Sequence, residues 1–190
     1  MIVADTSDLL YPLTLFCQNG GHPLPSFEVI DGATMPEPYR GLLVHHGDMT
    51  SRLEAFHGDS IVIEVLHSEH TPEAYRREVV LHMEQSGLPV EYGAIEIDLG
   101  AFDGELRQLI LEHHLPLGGL LNRFGVNYRS EPKGVIKLGA DAVMQDVFGM
   151  PDAHEFYGRC NVLVGEGNRT LARIVEVLRP EGSAKMYANR

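Results

Sequence analysis

Arg77 and Glu176 are charged residues on strand faces that are otherwise apolar. In Tyr75-Arg76-Arg77-Glu78-Val79-Val80-Leu81-His82-Met83, Arg77 shares its face with Tyr75, Val79, Leu81 and Met83. In Leu171-Ala172-Arg173-Ile174-Val175-Glu176-Val177-Leu178, Glu176 shares its face with Ala172, Ile174 and Leu178. Side chains alternate across a strand with period two, so both charges point the way the apolar residues point. A lone buried charge is costly, and such groups are normally paired, hydrogen-bonded or used. The Arg77 guanidinium is a planar fork of donors suited to a carboxylate. Glu176 could act as a general acid or base, or simply neutralise Arg77. A slip of one residue would instead turn Arg76 inward. The pattern predicts a polar site sunk in a β-sheet, holding one cation and one carboxylate.

Backbone donors could complete such a site. Gly47-Asp48-Met49-Thr50 reads as a helix N-terminus, where free N–H groups and the helix dipole favour an anion, and the Met49 N–H could hold one end of a carboxylate. Pro116-Leu117-Gly118-Gly119 is either an ordinary helix-to-loop break or a second backbone donor aimed at the sheet. The 10 histidines, among them His45-His46, His67, His70 and His113-His114, lack the spacing of a zinc helix, so no metal is expected. Phosphate-binding glycine loops and a nucleophile elbow are absent too.

These groups must be positioned by an α+β fold. Leu9, Leu10, Leu13 and Phe16 have near-helical spacing interrupted by Pro12, and 20–38 is rich in Gly and Pro, predicting an irregular N-terminal wrap over 1–46. A short helix follows, with Asp48 as N-cap, Leu53 and Phe56 facing inward and Gly58 as its stop. Strands are expected at Ser60–His67, Ala74–Met83 and Val90–Ile97, joined by short connections that imply antiparallel pairing. A helix over Asp103–His114 puts Leu106, Leu109, Ile110 and His113 on one side. A strand is expected near Val126–Arg129 or Val135–Leu138, then a short helix at Asp141–Phe148. Tyr157–Val164 and Thr170–Leu178 flank Gly165-Glu166-Gly167-Asn168, a hairpin signal. Beyond Pro180 the tail is small and polar and is expected to fray. Helices then cover an antiparallel sheet, and one sheet face builds a buried ligand pocket.

Composition limits the partners. The chain has 190 residues, 44% of them hydrophobic, enough for one domain with a full core. Its 27 acidic and 15 basic side chains argue against nucleic acid, whose binding needs a basic surface. A small carboxylate remains compatible if local arginines and N–H groups overcome the general field. No apolar stretch approaches the roughly 20 residues that span a bilayer, and Met1-Ile2-Val3-Ala4-Asp5 lacks a signal-peptide pattern. Cys17 and Cys160 are too few for a disulfide framework, and reduced thiols fit the cytoplasm, although a bridge between them stays open. A homo-oligomer is compatible with this composition.

The ordered set Gly47-Asp48-Met49-Thr50-x-x-Leu53, Tyr75-x-Arg77-Glu78-Val79-Val80-Leu81, Gly87-x-Pro89, Pro116-Leu117-Gly118, Gly158-Arg159 and Ile174-Val175-Glu176-Val177-Leu178-x-Pro180 resembles the chorismate lyase family. Effector-binding (UTRA) domains of GntR-type repressors use the same fold class. The resemblance implies a pocket closed by helical flaps and a cofactor-free elimination of pyruvate from chorismate to leave 4-hydroxybenzoate. It implies that Arg77 holds the ring carboxylate, that Glu176 sits at the hydroxyl or ether end, and that the Met49 and Leu117 N–H groups complete capture. Three positions depart from the family pattern. Ala94 replaces a second arginine, Asp48 a serine, and Gly119 an arginine; Arg159 or Arg129 is the candidate replacement cation. Two alternatives follow: a diverged enzyme acting on another aromatic or polyketide-like acid, and a non-catalytic effector-binding module. No helix-turn-helix precedes the domain in this sequence, which counts against the second.

Overall fold

A computed structural model of the chain describes residues 6–180. Its strands are β1 (Phe27–Ile30), β2 (Ile61–His70), β3 (Ala74–Met83), β4 (Pro89–Asp98), β5 (Arg129–Gly139), β6 (Glu155–Val164) and β7 (Thr170–Leu178). They form one seven-stranded sheet in the order β1-β5-β6-β7-β4-β3-β2, with every pairing antiparallel. The helices are α1 (Thr6–Leu9), α2 (Leu13–Gly20), α3 (Tyr39–Leu43), α4 (Met49–His57), α5 (Gly104–Leu111), α6 (Leu117–Arg123) and α7 (Ala142–Phe148). Among the described residues, no helix is long and apolar enough to cross a membrane.

Both faces of the sheet are covered, which divides the core. On one face Val80, Tyr92, Val175 and Val177 pack with Leu13, Phe16 and Cys17 of α2 and Met144 and Phe148 of α7. The other face carries two clusters. Tyr75, Ile95, Ile97 and Leu163 pack under α5 and α6 through Leu106, Ile110, Leu117 and Leu121. Leu81, Ile61 and Leu178 pack under α3 and α4 through Leu42, Leu43, Met49 and Leu53. The gap between these two clusters is where the polar residues collect.

The strands with the strongest alternation, β3 and β7, run over Ala74–Met83 and Thr170–Leu178 as the pattern predicts. Asp48 caps α4 by accepting the Ser51 N–H at 2.8 Å, and Gly58 closes it at φ +67°, where a Cβ would be strained.

Several expectations are corrected. The N-terminal region is not simply an irregular wrap: it contains α1, α2, β1 and α3, with β1 paired to β5. Phe56 faces outward and is 46% exposed. The helix expected over Asp103–His114 ends at Leu111, because His113 turns to φ +65°, and a new helix, α6, begins straight after Pro116. β5 absorbs the Val135–Leu138 alternative and extends back to Arg129. The tail after Pro180 lies outside the described residues. Cys17 and Cys160 are free and buried, and burial first of all pushes their thiols up to about 11 and about 12.

Candidate functional site

The register aligns three rows of inward side chains. Arg77 lies beside Ile95, which pairs with Ile174, which pairs with Asn161. In the next row Val79, Gly93, Glu176 and Arg159 lie side by side. The third row brings Leu81, Glu91 and Leu178 together. Gly93 is central to this floor. A Cβ there would sit 3.1 Å from the Val175 carbonyl oxygen and 3.4 Å from Glu91 Oε1, a tight fit, so glycine is what lets these groups approach the floor so closely.

The roof comes from the first turns of α4 and α6. Asp48, Met49 and Thr50 approach from one side, and Pro116, Leu117 and Gly118 from the other. They meet closely: a Cβ at Gly118 would stand 3.2 Å from the Asp48 Cβ. The cavity they border measures about 70 Å³. Sites for drug-sized ligands usually start at roughly 300 Å³, so this cavity suits a smaller ligand.

Arg77 is 2% exposed and faces this cavity, as the alternation predicts. Its Nη2 donates to the Leu115 carbonyl at 3.3 Å, and its guanidinium lies 5.8 Å from the Tyr75 ring centre. Nε and Nη1 have no hydrogen-bond partner among the described residues. Burial lowers its pKa from the usual arginine value. The Tyr75 hydroxyl also bonds His113, in the loop that leads to Leu115, and Tyr75 partly opposes the effect of burial on Arg77.

Glu176 does not pair with Arg77. It bonds Arg159 Nε on the neighbouring strand. Arg159 is 0% exposed, and its remaining donors reach the His45 and Gly47 carbonyls at 3.3 and 3.4 Å. It therefore ties the sheet to the segment that leads into α4. His45 is kept neutral by this arrangement. Its Nδ1 accepts the Gly47 N–H at 3.0 Å, and its Nε2 lies 2.7 Å from the Leu42 carbonyl. Burial, then Arg159 and Arg52, hold its pKa down at about 4.

The structure thus brings together Arg77, Glu176, Arg159, Asp48, Met49 and Leu117 around one cavity. Arg129 is not among them; it pairs with Glu131 at the surface. The Ala94 side chain packs into the core on the opposite face, and the second cation of the cavity is Arg159. Three neighbours were not expected from the sequence. Glu91 is buried beside Glu176 and Arg159, Asn161 lines the wall, and His45 backs Arg159. Glu91 carries the same signal as Arg77, since it alternates with Gly93, Ile95 and Ile97.

No protein-family model matches the sequence, and no curated protein matches it. Solved structures do. The effector domain of PhnF from Mycobacterium smegmatis superposes with a TM-score of 0.56 at 15% identity, covering 70% of this chain and 88% of that one. The structure of PhnF from the same organism gives 0.56 at 14% identity, covering 72% of this chain, but only 65% of the PhnF chain is matched. Gene product SA0254 from Staphylococcus aureus gives 0.50 at 5% identity, covering 63% and 82%. The fold is UTRA-like, that of the PhnF effector domain. At such identities the likeness concerns the fold alone.

Proposed function

We propose that this chain binds a small organic acid, as an effector-type binding domain, with Arg77 taking the carboxylate. One observation carries the reading. A fully buried arginine faces a cavity with two of its three nitrogens unpartnered. Buried donors are rarely left so, and a charge without a partner is costly. A carboxylate is the group that fits that fork. Apolar walls from Val79, Ile95, Leu163 and Ile174 suit the ligand's carbon frame. The Met49 and Leu117 N–H groups, at the starts of α4 and α6, complete its capture. Glu176 and Arg159 hold the α4 entry in place behind it. The effector-domain neighbours favour binding without turnover.

The test is calorimetric titration of the protein with 4-hydroxybenzoate, compared with Arg77→Met. Removing the charge partner of a buried carboxylate should weaken binding by about 100-fold or more. Equal affinity in the variant, with its fold intact, rejects the anchor.

A second reading is the elimination of pyruvate from chorismate, or the same chemistry on a related aromatic or polyketide-like acid. It is favoured because Arg77, Glu176, Met49 and Leu117 border a single cavity. An enzyme of this kind needs little beyond orientation and preorganised donors. Chorismate, however, is a dianion, and the cavity's second cation is already held by Glu176. Incubation with chorismate decides between the two: release of pyruvate and 4-hydroxybenzoate supports the lyase, and binding without release supports the effector domain.

A further inference from the structure

Glu91 is the buried carboxyl to which the reading above gives no task. It is 4% exposed on β4 and lines the cavity. Its Oε2 has no hydrogen-bond partner among the described residues, and its Oε1 packs close to Gly93, 3.4 Å from where a Cβ would stand. Glu176 faces it from β7 and Arg159 from β6, with His45 on the far side of Arg159. The nearby cation is thus already engaged by Glu176. A buried carboxyl with no cation of its own favours the neutral acid. Burial, and then Glu176, push its pKa well above the usual carboxylate range, with Arg159 opposing them.

Position along the sheet sets what Glu91 can meet. Arg77 pairs with Ile95, and Glu91 pairs with Leu81, so the two residues lie two inward-facing rows apart. Four residues of strand separate their backbones by roughly 14 Å. Both residues line the same cavity, with Gly93 in the row between them. A ligand whose carboxylate engages Arg77 therefore directs its opposite end toward Glu91.

We propose that Glu91 recognises an uncharged hydroxyl or carbonyl at that opposite end, so that the site selects a hydroxy or oxo monocarboxylic acid over a dicarboxylic one. This rests on Arg77 as the carboxylate anchor. The neutral acid has an O–H to donate and a carbonyl oxygen to accept, which suits either group. A second ligand carboxylate would lose its hydration beside two carboxyl groups and a cation already paired, so it is excluded.

The experiment is calorimetric titration of the whole protein with benzoate, 4-hydroxybenzoate and terephthalate, at one pH and salt concentration. The wild type should prefer 4-hydroxybenzoate to benzoate by about tenfold, one hydrogen bond's worth, and to terephthalate by more. Glu91→Leu should collapse the hydroxyl preference to within about twofold, whereas Glu91→Gln, which keeps a donor and an acceptor, should retain it. Circular dichroism and melting of both variants report whether each is folded. Arg77→Met tests the anchor separately, since it should weaken all three acids together. The inference is overturned if Glu91→Leu keeps the preference, if terephthalate binds as tightly as 4-hydroxybenzoate, or if the wild type takes up none of the three.

Discussion

Arg76 and Arg77 are adjacent on β3 and point to opposite faces of the sheet, and their charges are met differently, Arg76 being half-buried and Arg77 buried. Arg76 Nε donates to Glu96 at 2.6 Å, its Nη1 reaches Glu69 at 3.1 Å, and the Tyr11 hydroxyl joins the same cluster. Next to it Glu78, which is buried, is held by the Tyr92 hydroxyl and by His67 at 2.6 Å. Charge on that face is matched by charge or hydroxyl within the chain. On the cavity face Arg159 and Glu176 also pair with each other, but Arg77 keeps two unpartnered nitrogens and Glu91 one unpartnered oxygen. Closed polar networks fix the fold, and on the proposed reading the open groups of Arg77 and Glu91 are those that meet the ligand.

The largest effect that separates the faces should come from Gly93→Val. Its side chain would press on the Val175 carbonyl and on Glu91 and fill the floor. Binding of 4-hydroxybenzoate should fall by more than about 100-fold, in line with loss of the Arg77-to-Glu91 space. Retained affinity would mean that the ligand lies elsewhere. Tyr92→Phe addresses the closed network. It leaves a Glu78 oxygen without its hydroxyl partner, so chemical denaturation should show a loss of about 1–3 kcal/mol, with acid affinity unchanged within twofold. A change in affinity of the size seen for Gly93→Val would erase the distinction between the faces.

Smaller effects appear in the pH dependence of stability. The Glu91 pKa is raised above its usual 4.5 in the folded protein, so the folded state keeps a proton that the unfolded chain releases. Its contribution is complete below that value and is lost as pH rises toward the folded pKa, with a slope approaching about 1.4 kcal/mol per pH unit. Glu91→Gln should therefore gain on the wild type as pH rises above 4.5. His45 works in the other direction. Its pKa falls from 6.5 to about 4 on folding, so its contribution is lost as pH drops through that window. His45→Asn should flatten this acid limb, by less than Glu91→Gln flattens the other, because His45 is only half-buried. Urea melts across pH 4–9 measure both.

Much of this was legible in period-two alternation. β3 and β7 have long runs with one apolar face, so both their bounds and the inward aim of Arg77 and Glu176 follow from residue order. Glu91 was legible by the same test on β4. What alternation cannot supply is pairing: nothing in the order of residues says that Glu176 meets Arg159, which depends on β6 lying beside β7. The short elements escaped for a different reason. β1 has four residues and α3 five, too few for a period to register, and tertiary packing holds them. α6 carries Gly118-Gly119 in its first turn, residues that oppose a helix locally, yet Leu117, Leu120 and Leu121 are buried beneath it. Phe56, three residues after Leu53 on α4, lies at the edge of an apolar groove bordered by Met83 and Pro180, not under the helix.

The central claim is that the open nitrogens of Arg77 receive a carboxylate. Arginine side-chain ¹⁵Nε resonances, followed during titration with 4-hydroxybenzoate, report on it directly. The account predicts that the Arg77 Nε–H signal shifts and becomes protected from exchange as the site saturates, while Arg76 stays unchanged. Saturable binding with an unmoved Arg77 signal would contradict it.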